Sequence, residues 1–327
     1  MKAITIEGNG PGAALVLRDV PAPQPEPNDV LVAVRAAAVN RADLRRAATH
    51  FAASDKAGHA PIAGVEIAGV VIGLGASVKG YAIGDRVMGM AGSAYAEQVK
   101  VDHRLIVKVP ATLDWQQAGS IPVSFITAHD ALARAAALQP GETVLVQGAS
   151  TGAGIAAVQI AKLMGARLVL GTAGEPRKLA GLARLGCDVP IDYRNDDFVR
   201  VVRQHTQDAG VDVVIDIVGG AAAQGNVDAA RIAGRIVCLG RVAGVEATLN
   251  LDEFSRKRLT MIGITFRTRS LAERVAAIDR FRDELLPAIA DGRVKPVVDR
   301  TFALAEAMAA QEYLRANKHF GKVLLMP

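Results

Sequence analysis

Residues 145–154 read LVQGASTGAG, and this stretch limits the possible folds more than any other. Thr143 to Val146 before it is apolar, β-branched and uncharged, the pattern of a buried strand. Ile155 to Met164 after it carries apolar residues at helical spacing, with Lys162 on the other side. Strand, glycine-rich turn and helix form the context that a dinucleotide-binding fingerprint requires. The strict G-x-G-x-x-G spacing is not met: Ala149, Thr151 and Gly154 hold its three positions, with Gly148, Ser150, Gly152 and Ala153 around them. Small residues let the backbone approach a pyrophosphate, and a helix N-terminus, expected at Ile155, supplies N–H groups to it. An ordinary strand–helix turn has similar residues, so the rest of the chain has to decide.

Strand and helix patterns alternate after the turn. Strands are expected at 168–171, 189–191, 211–217, 235–239 and 260–265, and helices at 177–185, 198–206 and 225–232. Repeated strand–helix units imply a parallel sheet covered on both faces. The preceding part is different. Short strands with glycine turns are expected at 1–6, 14–19, 29–38, 65–72, 84–88, 94–99 and 105–108. Pro21, Pro23, Pro25 and Pro27 exclude helix between the second and third of these. A helix capped by Thr112 and a longer one over 126–138 lead into the alternating part. A helix over 270–290, disturbed near Pro287, a strand at 297–302, a helix at 304–315 and a strand at 322–326 follow. That last strand has no strand–helix partner after it and is expected to return to the β-rich part. The expected class is α/β, with a β-rich domain over 1–124, a nucleotide-binding domain over 125–266 and a return over 267–327.

Composition removes other classes. The stretch MKAITIEGNG reads as a strand start and not as a signal peptide, and nothing resembles a membrane span. Cys187 and Cys238 stand far apart, which fits a reducing, cytoplasmic setting and argues against a cysteine-rich metal site. A net charge of +5 without a basic block, and only 4% aromatic residues, do not describe a nucleic-acid-binding surface.

Two further groups of residues bear on chemistry. An acid about 20 residues past the fingerprint would hold the ribose 2′-hydroxyl of NAD. No carboxylate lies between Leu168 and Gly174, the position counted from Gly154 is Ala173, and Arg177 and Lys178 follow. NADP(H) is favoured on that pattern, the alternative being that both cations are solvated residues of a helix's first turn. Tyr193 either contacts the same end of the cofactor or is a tyrosine at the core's edge. In the β-rich part, Asn40-Arg41-Ala42-Asp43 ends a strand. Asn40 can donate and accept at once, while Asp43 either holds Arg41 or caps a helix that starts there. Glu66 in an apolar strand needs a partner, with Arg86 the candidate unless Arg86 pairs with Asp85. His50, His59 and His103 each stand alone, so no metal site is expected.

These residues resemble the medium-chain dehydrogenase/reductase superfamily, and within it the zinc-free NADPH:quinone oxidoreductases. The motifs that carry the resemblance are Asn40 to Asp43, Gly64 to Gly69, Gly84 to Val87, Tyr95 to Glu97, Thr127, Gly148 to Gly154, Thr172 to Gly174 with Lys178, and Gly321 to Val323. The stretches KRLTMIGITFRTRS and RANKHFGKVLLMP are similar to p53-inducible quinone oxidoreductase-like proteins. Zinc alcohol dehydrogenases have a cysteine where Asn40 stands and a histidine where Val65 stands, so the resemblance implies no zinc. It implies a GroES-like catalytic domain, a Rossmann nucleotide-binding domain, and a site in the cleft between them. Asn40, Arg41, Asp43, Phe51 and Thr127 are the implied catalytic group, Phe51 replacing a tyrosine common in relatives. Implied NADPH contacts are Asn40, Thr127, Ala149 to Gly154, Asn317 and Lys322, with Gly174, Lys178 and Tyr193 at the 2′-phosphate. A homodimer joined through the nucleotide-domain sheets is also implied. The expected activity is hydride transfer from NADPH to a quinone. The alternatives are reduction of a conjugated double bond in an enal, enone or enoyl thioester, and a non-catalytic NADPH- or RNA-binding role.

Overall fold

The computed structural model describes residues 1–8, 14–45 and 60–327. The chain divides into two compact units, residues 1–126, 267–291 and 296–327 in the first and residues 127–266 and 292–295 in the second.

In the first unit, β1 (Lys2–Glu7) and β2 (Ala14–Asp19) form an antiparallel pair. The main sheet is built on β3 (Asp29–Val39), which alternates toward a valine- and alanine-rich core up to Arg35 and is buried throughout from Ala36 to Val39. The short helix α1 (Arg41–Arg45) follows it. β4 (Glu66–Leu74) runs antiparallel beside β3, then β5 (Arg86–Met90) beside β4. β6 (Gln98–Asp102) pairs with Asp29 to Ala33 of β3, and β7 (Ile106–Lys108) with β5. α2 (Trp115–Gly119) and α3 (Pro122–His129) close this stretch. The cap of α2 is Asp114, in a capping box with Gln117, and not Thr112. The acid reaches the Gln117 N–H at 2.7 Å; Thr112 instead donates to the Ala290 carbonyl at 2.9 Å. α3 starts at Pro122, a residue whose missing N–H suits the first turn, and passes into a π-helical turn over Asp130–Ala135.

The second unit holds a six-stranded, wholly parallel sheet: β8 (Thr143–Gln147), β9 (Leu168–Ala173), β10 (Val189–Asp192), β11 (Val211–Asp216), β12 (Ala230–Cys238) and β13 (Thr260–Gly263). Interleaved with them are α4 (Gly152–Leu163), α5 (Pro176–Arg184), α6 (Phe198–His205), α7 (Ala222–Ala229) and α8 (Leu251–Arg256). The spatial order is β10-β9-β8-β11-β12-β13. The chain therefore leaves β8 in one direction and resumes on its other side at β11, a topological switch point, and ligands of open α/β sheets bind at such a point. The glycine turn is the loop that leaves β8. Residues 230–232 are strand and not helix. Ala230 pairs with Val211, the ladder resumes only at Val213 with Arg235, and the excess residues bulge around Ala233 at φ +60°.

The chain then re-enters the first unit. α9 (Leu271–Arg280), with a Ser270–Glu273 capping box, and α10 (Leu286–Ala290) are separated by a π-helical turn at Phe281–Leu285, upstream of Pro287. β14 (Val298–Ala303), α11 (Ala307–Arg315) and β15 (Lys322–Met326) complete it. β15 lies antiparallel to β3, Val323 opposite Val39, and parallel to β14.

Candidate functional site

Register brings together what sequence distance separates. Val323 opposite Val39 sets Lys322 beside Asn40, and Ala37 opposite Ile67 sets Glu66 on their other side. The Lys322 ammonium donates to Asn40 Oδ1 and to Glu66 Oε1, both at 2.7 Å. Asn40 Nδ2 donates to Glu66 Oε1 at 2.8 Å and to the Ala38 carbonyl at 3.3 Å. Glu66 Oε2 accepts the Val123 N–H at 2.7 Å. The partners expected for Glu66 are corrected by this geometry. Arg86 lies over the Trp115 ring and donates to the Leu113 carbonyl at 2.6 Å, while Asp85 pairs with Lys108 at 3.0 Å. The side chains of Lys322 and Glu66 are 6% and 0% exposed, which such charges tolerate only when paired and hydrogen-bonded.

Asp43 completes the group from α1. Its Oδ2 accepts the Asn40 N–H at 2.8 Å and the Tyr95 hydroxyl at 2.7 Å. Burial pushes this carboxyl up to about 6 despite both hydrogen bonds, and burial together with Asp43 holds the Tyr95 phenol well above its ordinary value. Asp43 thus caps the turn from inside it. Tyr95 is visible in the sequence only as a motif residue. The tight approach of Gly64, at φ +95°, to its ring is what admits the phenol. Arg41 Nη2 donates to the Leu314 carbonyl at 3.4 Å. Asn317 has φ +57° just past the end of α11, where a left-handed residue terminates a helix. Phe51, His50 and His59 lie outside the described residues. Thr127 is half-buried in α3, at the start of the second unit.

Zinc does not fit this cluster. A zinc ion needs thiolate, imidazole or carboxylate donors converging on it. Here an amide and an ammonium surround the Glu66 carboxylate, Asp43 is taken up by the Asn40 N–H and the Tyr95 hydroxyl, and Val65 is a buried apolar residue. Among the described residues no group of three or more His, Cys, Asp or Glu is gathered to hold a metal.

In the second unit the turn after β8 is held by neutral side chains. Thr151 caps α4, which begins at Gly152 and not at Ile155; its hydroxyl accepts the Gly154 N–H at 3.1 Å and donates to the Gly148 carbonyl at 2.9 Å. The hydroxyl spends one first-turn N–H, so the donors offered to an anion are those of Gly152 and Ala153. Gly148, at φ +71°, donates its N–H to Thr172 Oγ1 at 3.0 Å. Thr172 donates in turn to Gln147 at 2.8 Å, and Gln147 to Asn226 at 2.9 Å. Neither Asn226 nor Gln147 stands out in the sequence, because an isolated amide carries no spacing signal. A Cβ on Gly154 would lie 2.6 Å from Ala149 Cα, so only glycine lets the helix start this close to the strand end. Ala149 is buried, whereas Ser150, Thr151, Gly152 and Ala153 are half-buried.

The end of β9 gathers a second group of residues. A Cβ on Gly174 would lie 2.8 Å from the Tyr193 hydroxyl and 2.9 Å from Arg194 Nε, so the glycine lets both close over it. Tyr193 is 56% exposed, a surface and not a core-edge residue. Lys178 is 6% exposed, hence not a solvated first-turn cation, and burial lowers its pKa. The stretch without a carboxylate, 168–174, stops one residue short of an acid: Glu175 pairs with Lys178 at 3.5 Å and with Arg177 at 3.6 Å. These features fit a dinucleotide: small residues at the strand end, helix donors for a pyrophosphate, and cations for a further phosphate.

Residues 26–111 match the family described as alcohol dehydrogenase GroES-like domain, and residues 152–282 the family described as zinc-binding dehydrogenase. A solved structure described as an NAD-dependent alcohol dehydrogenase is 30% identical, covers all of both chains and superimposes with a TM-score of 0.88. The quinone oxidoreductase of Escherichia coli, solved in complex with NADPH, is 26% identical over all of both chains with a TM-score of 0.87. A phenolphthiocerol/phthiocerol polyketide synthase of Mycobacterium tuberculosis is 31% identical over 325 residues, 99% of this chain. The chain spans 15% of that synthase's length. With a GroES-like part and a Rossmann part in this order, and full-length likeness to such enzymes, the chain belongs to the medium-chain dehydrogenase/reductase superfamily.

Proposed function

We propose that the protein is a cytoplasmic, zinc-independent NADPH:quinone oxidoreductase. The observation that carries the reading is the Asn40–Glu66–Lys322 network, which puts an ammonium and an amide where a metal-dependent relative needs metal ligands. A quinone accepts hydride without a Lewis acid, so orientation and one hydrogen-bond donor are sufficient. NADPH is the cofactor that the cradle at Gly148 to Gly154 and Gly174 to Arg194 fits. Its chemistry when bound is donation of a hydride, which with one further proton converts a quinone to a quinol. Gly152 and Ala153 bind the pyrophosphate through backbone N–H groups, and Lys178, Arg194 and Tyr193 hold the 2′-phosphate. Both N–H groups of the Asn40 amide are committed, to Glu66 and Ala38, so Asn40 offers a ligand only an acceptor. Lys322 has three N–H donors, two of which have partners among the described residues. The third is the donor for an oxygen gaining negative charge on the acceptor. The active form is a homodimer joined along β13, the edge strand of its sheet, where Met261 is exposed.

The match to a polyketide synthase supports a second reading, reduction of a conjugated carbon–carbon double bond by the same groups. A panel separates the two: loss of NADPH absorbance with small benzoquinones against enals, enones and enoyl thioesters. Quinones should give kcat/KM about tenfold higher or more, since a mismatch in polar pairing costs at least that much. The reverse ranking overturns the quinone assignment.

A further inference from the structure

Glu175 sits where the two dinucleotides differ. It follows Gly154 by 21 residues, at the end of β9, where an acid would take a ribose 2′-hydroxyl. It is the N-cap residue of α5, yet its side chain makes no capping hydrogen bond. Instead the carboxylate lies against the cations, 3.5 Å from Lys178 Nζ and 3.6 Å from Arg177 Nε. Its side chain is 30% exposed, while that of Lys178 beneath it is 7% exposed. Tyr193 and Arg194 close over Gly174 beside it. Three cations and one acid therefore share the place that the NADPH reading assigns to a single phosphate.

We infer that Glu175 sets the cofactor preference, opposing the 2′-phosphate of NADPH and accepting the 2′-hydroxyl of NADH, so that the protein binds both. The inference rests on the placement of the cofactor's adenosine end proposed above. A carboxylate paired to Lys178 offsets part of the attraction that this lysine exerts on a dianionic phosphate, and it repels the phosphate directly. The same carboxylate gives an unphosphorylated ribose an acceptor. Discrimination is consequently modest in the native chain and rises when the acid is neutralised.

The test uses the full chain and equilibrium titration of NADPH and of NADH, followed by the cofactor's fluorescence, for the native protein, Glu175→Gln, Glu175→Ser and Lys178→Ala. In Glu175→Gln, NADPH should bind about fivefold tighter and NADH about threefold weaker, moving the ratio of dissociation constants by about fifteenfold. Glu175→Ser should move it in the same direction, and Lys178→Ala should weaken NADPH alone. Thermal melts identify folded variants, and either glutamate variant suffices. A ratio unchanged within about twofold in a folded variant overturns the inference, as does loss or gain shared equally by both cofactors. The NADPH reading fails separately: native protein that prefers NADH, with the ratio still moving toward NADPH in Glu175→Gln, refutes that reading and upholds the role of Glu175. Native preference for NADPH with a fixed ratio does the opposite, and binding of neither cofactor overturns both.

Discussion

At the end of β3, charged groups from residues 43, 66 and 322 are sunk around one amide, Asn40, while the side chains that hold the turn after β8, Gln147, Thr172 and Asn226, are neutral, and the one acid beside them, Asp216 opposite Gln147, is taken up by the backbone N–H groups of Val218 and Gly219. The difference follows from what each end has to present. The turn after β8 presents backbone N–H groups, and its side chains need only fix the backbone, for which neutral hydrogen bonds are enough. The end of β3 presents side-chain atoms, and a buried ammonium there requires a carboxylate to balance it. One region is stiffened by short-range geometry, the other by charge brought in from distant parts of the chain.

The contrast is open to experiment, and the largest effect is expected at the charged end. Lys322→Met leaves Glu66 buried and unpaired and should cost about 3–5 kcal/mol in urea unfolding. The double variant Glu66→Gln/Lys322→Met removes both charges of the pair and should regain more than half of that loss. A single-variant cost below about 1 kcal/mol would mean that the pair does not hold the cluster together.

Next comes the pH dependence set by Asp43. Burial raises this carboxyl to about 6 from 3.8. Between those values the folded chain retains a proton that the unfolded chain has lost, so stability falls as pH rises and the penalty is complete above about pH 6. At about 1.4 kcal/mol per unit, the penalty is about 3 kcal/mol. The Tyr95 and Asn40 donors both meet Oδ2, so Asp43→Asn can keep both bonds. Chemical unfolding should find this variant more stable than the native protein near pH 8 and no more stable near pH 4. A difference independent of pH would remove Asp43 from the buried group.

The smallest effect belongs to the neutral end. Gly154→Ala forces a methyl against the Ala149 backbone and should cost about 1–3 kcal/mol and weaken NADPH binding, whereas Gly263→Ala, with nothing within 4 Å of its Cβ, should stay within about 0.5 kcal/mol. Equal melting temperatures for the two variants would contradict the close packing at the turn.

The same contrast explains which parts of the fold the sequence announces. The turn after β8 is local: strand, small residues and helix follow within one stretch, so its position can be read directly, while its ligand class comes from the rest of the chain. The parallel sheet is legible for the same reason, since each strand–helix unit repeats a local pattern. The cluster at β3 is not local. Asn40 and Lys322 are 282 positions apart, and only the β3–β15 register joins them. Glu66 is recognisable as a carboxylate in need of a partner, but Arg86 is nearer in sequence and equally cationic, and no rule of spacing prefers Lys322. Helix starts are hard to place where the cap stands apart from the first apolar residue, as at Asp114 and Thr151. Glu175 escapes a search for an acid that ends with the strand, because the side chain that matters sits on the first residue beyond Gly174.

The entry of Lys322 through β15 has a consequence for the order of events during synthesis. At roughly 5–20 residues per second, the ribosome adds Lys322 some 10–50 s after Glu66, which it follows by 256 positions. Throughout that interval the nascent first unit has a carboxylate whose permanent counter-ion does not yet exist, and the Ala37 to Val39 end of β3 lacks the strand on one of its edges. The second unit is nearly contiguous, from residue 127 to 266, and has all six of its strands before β15 is translated. Although it comes later in the chain, its sheet can be completed first, while the earlier-made half waits for its closing strand.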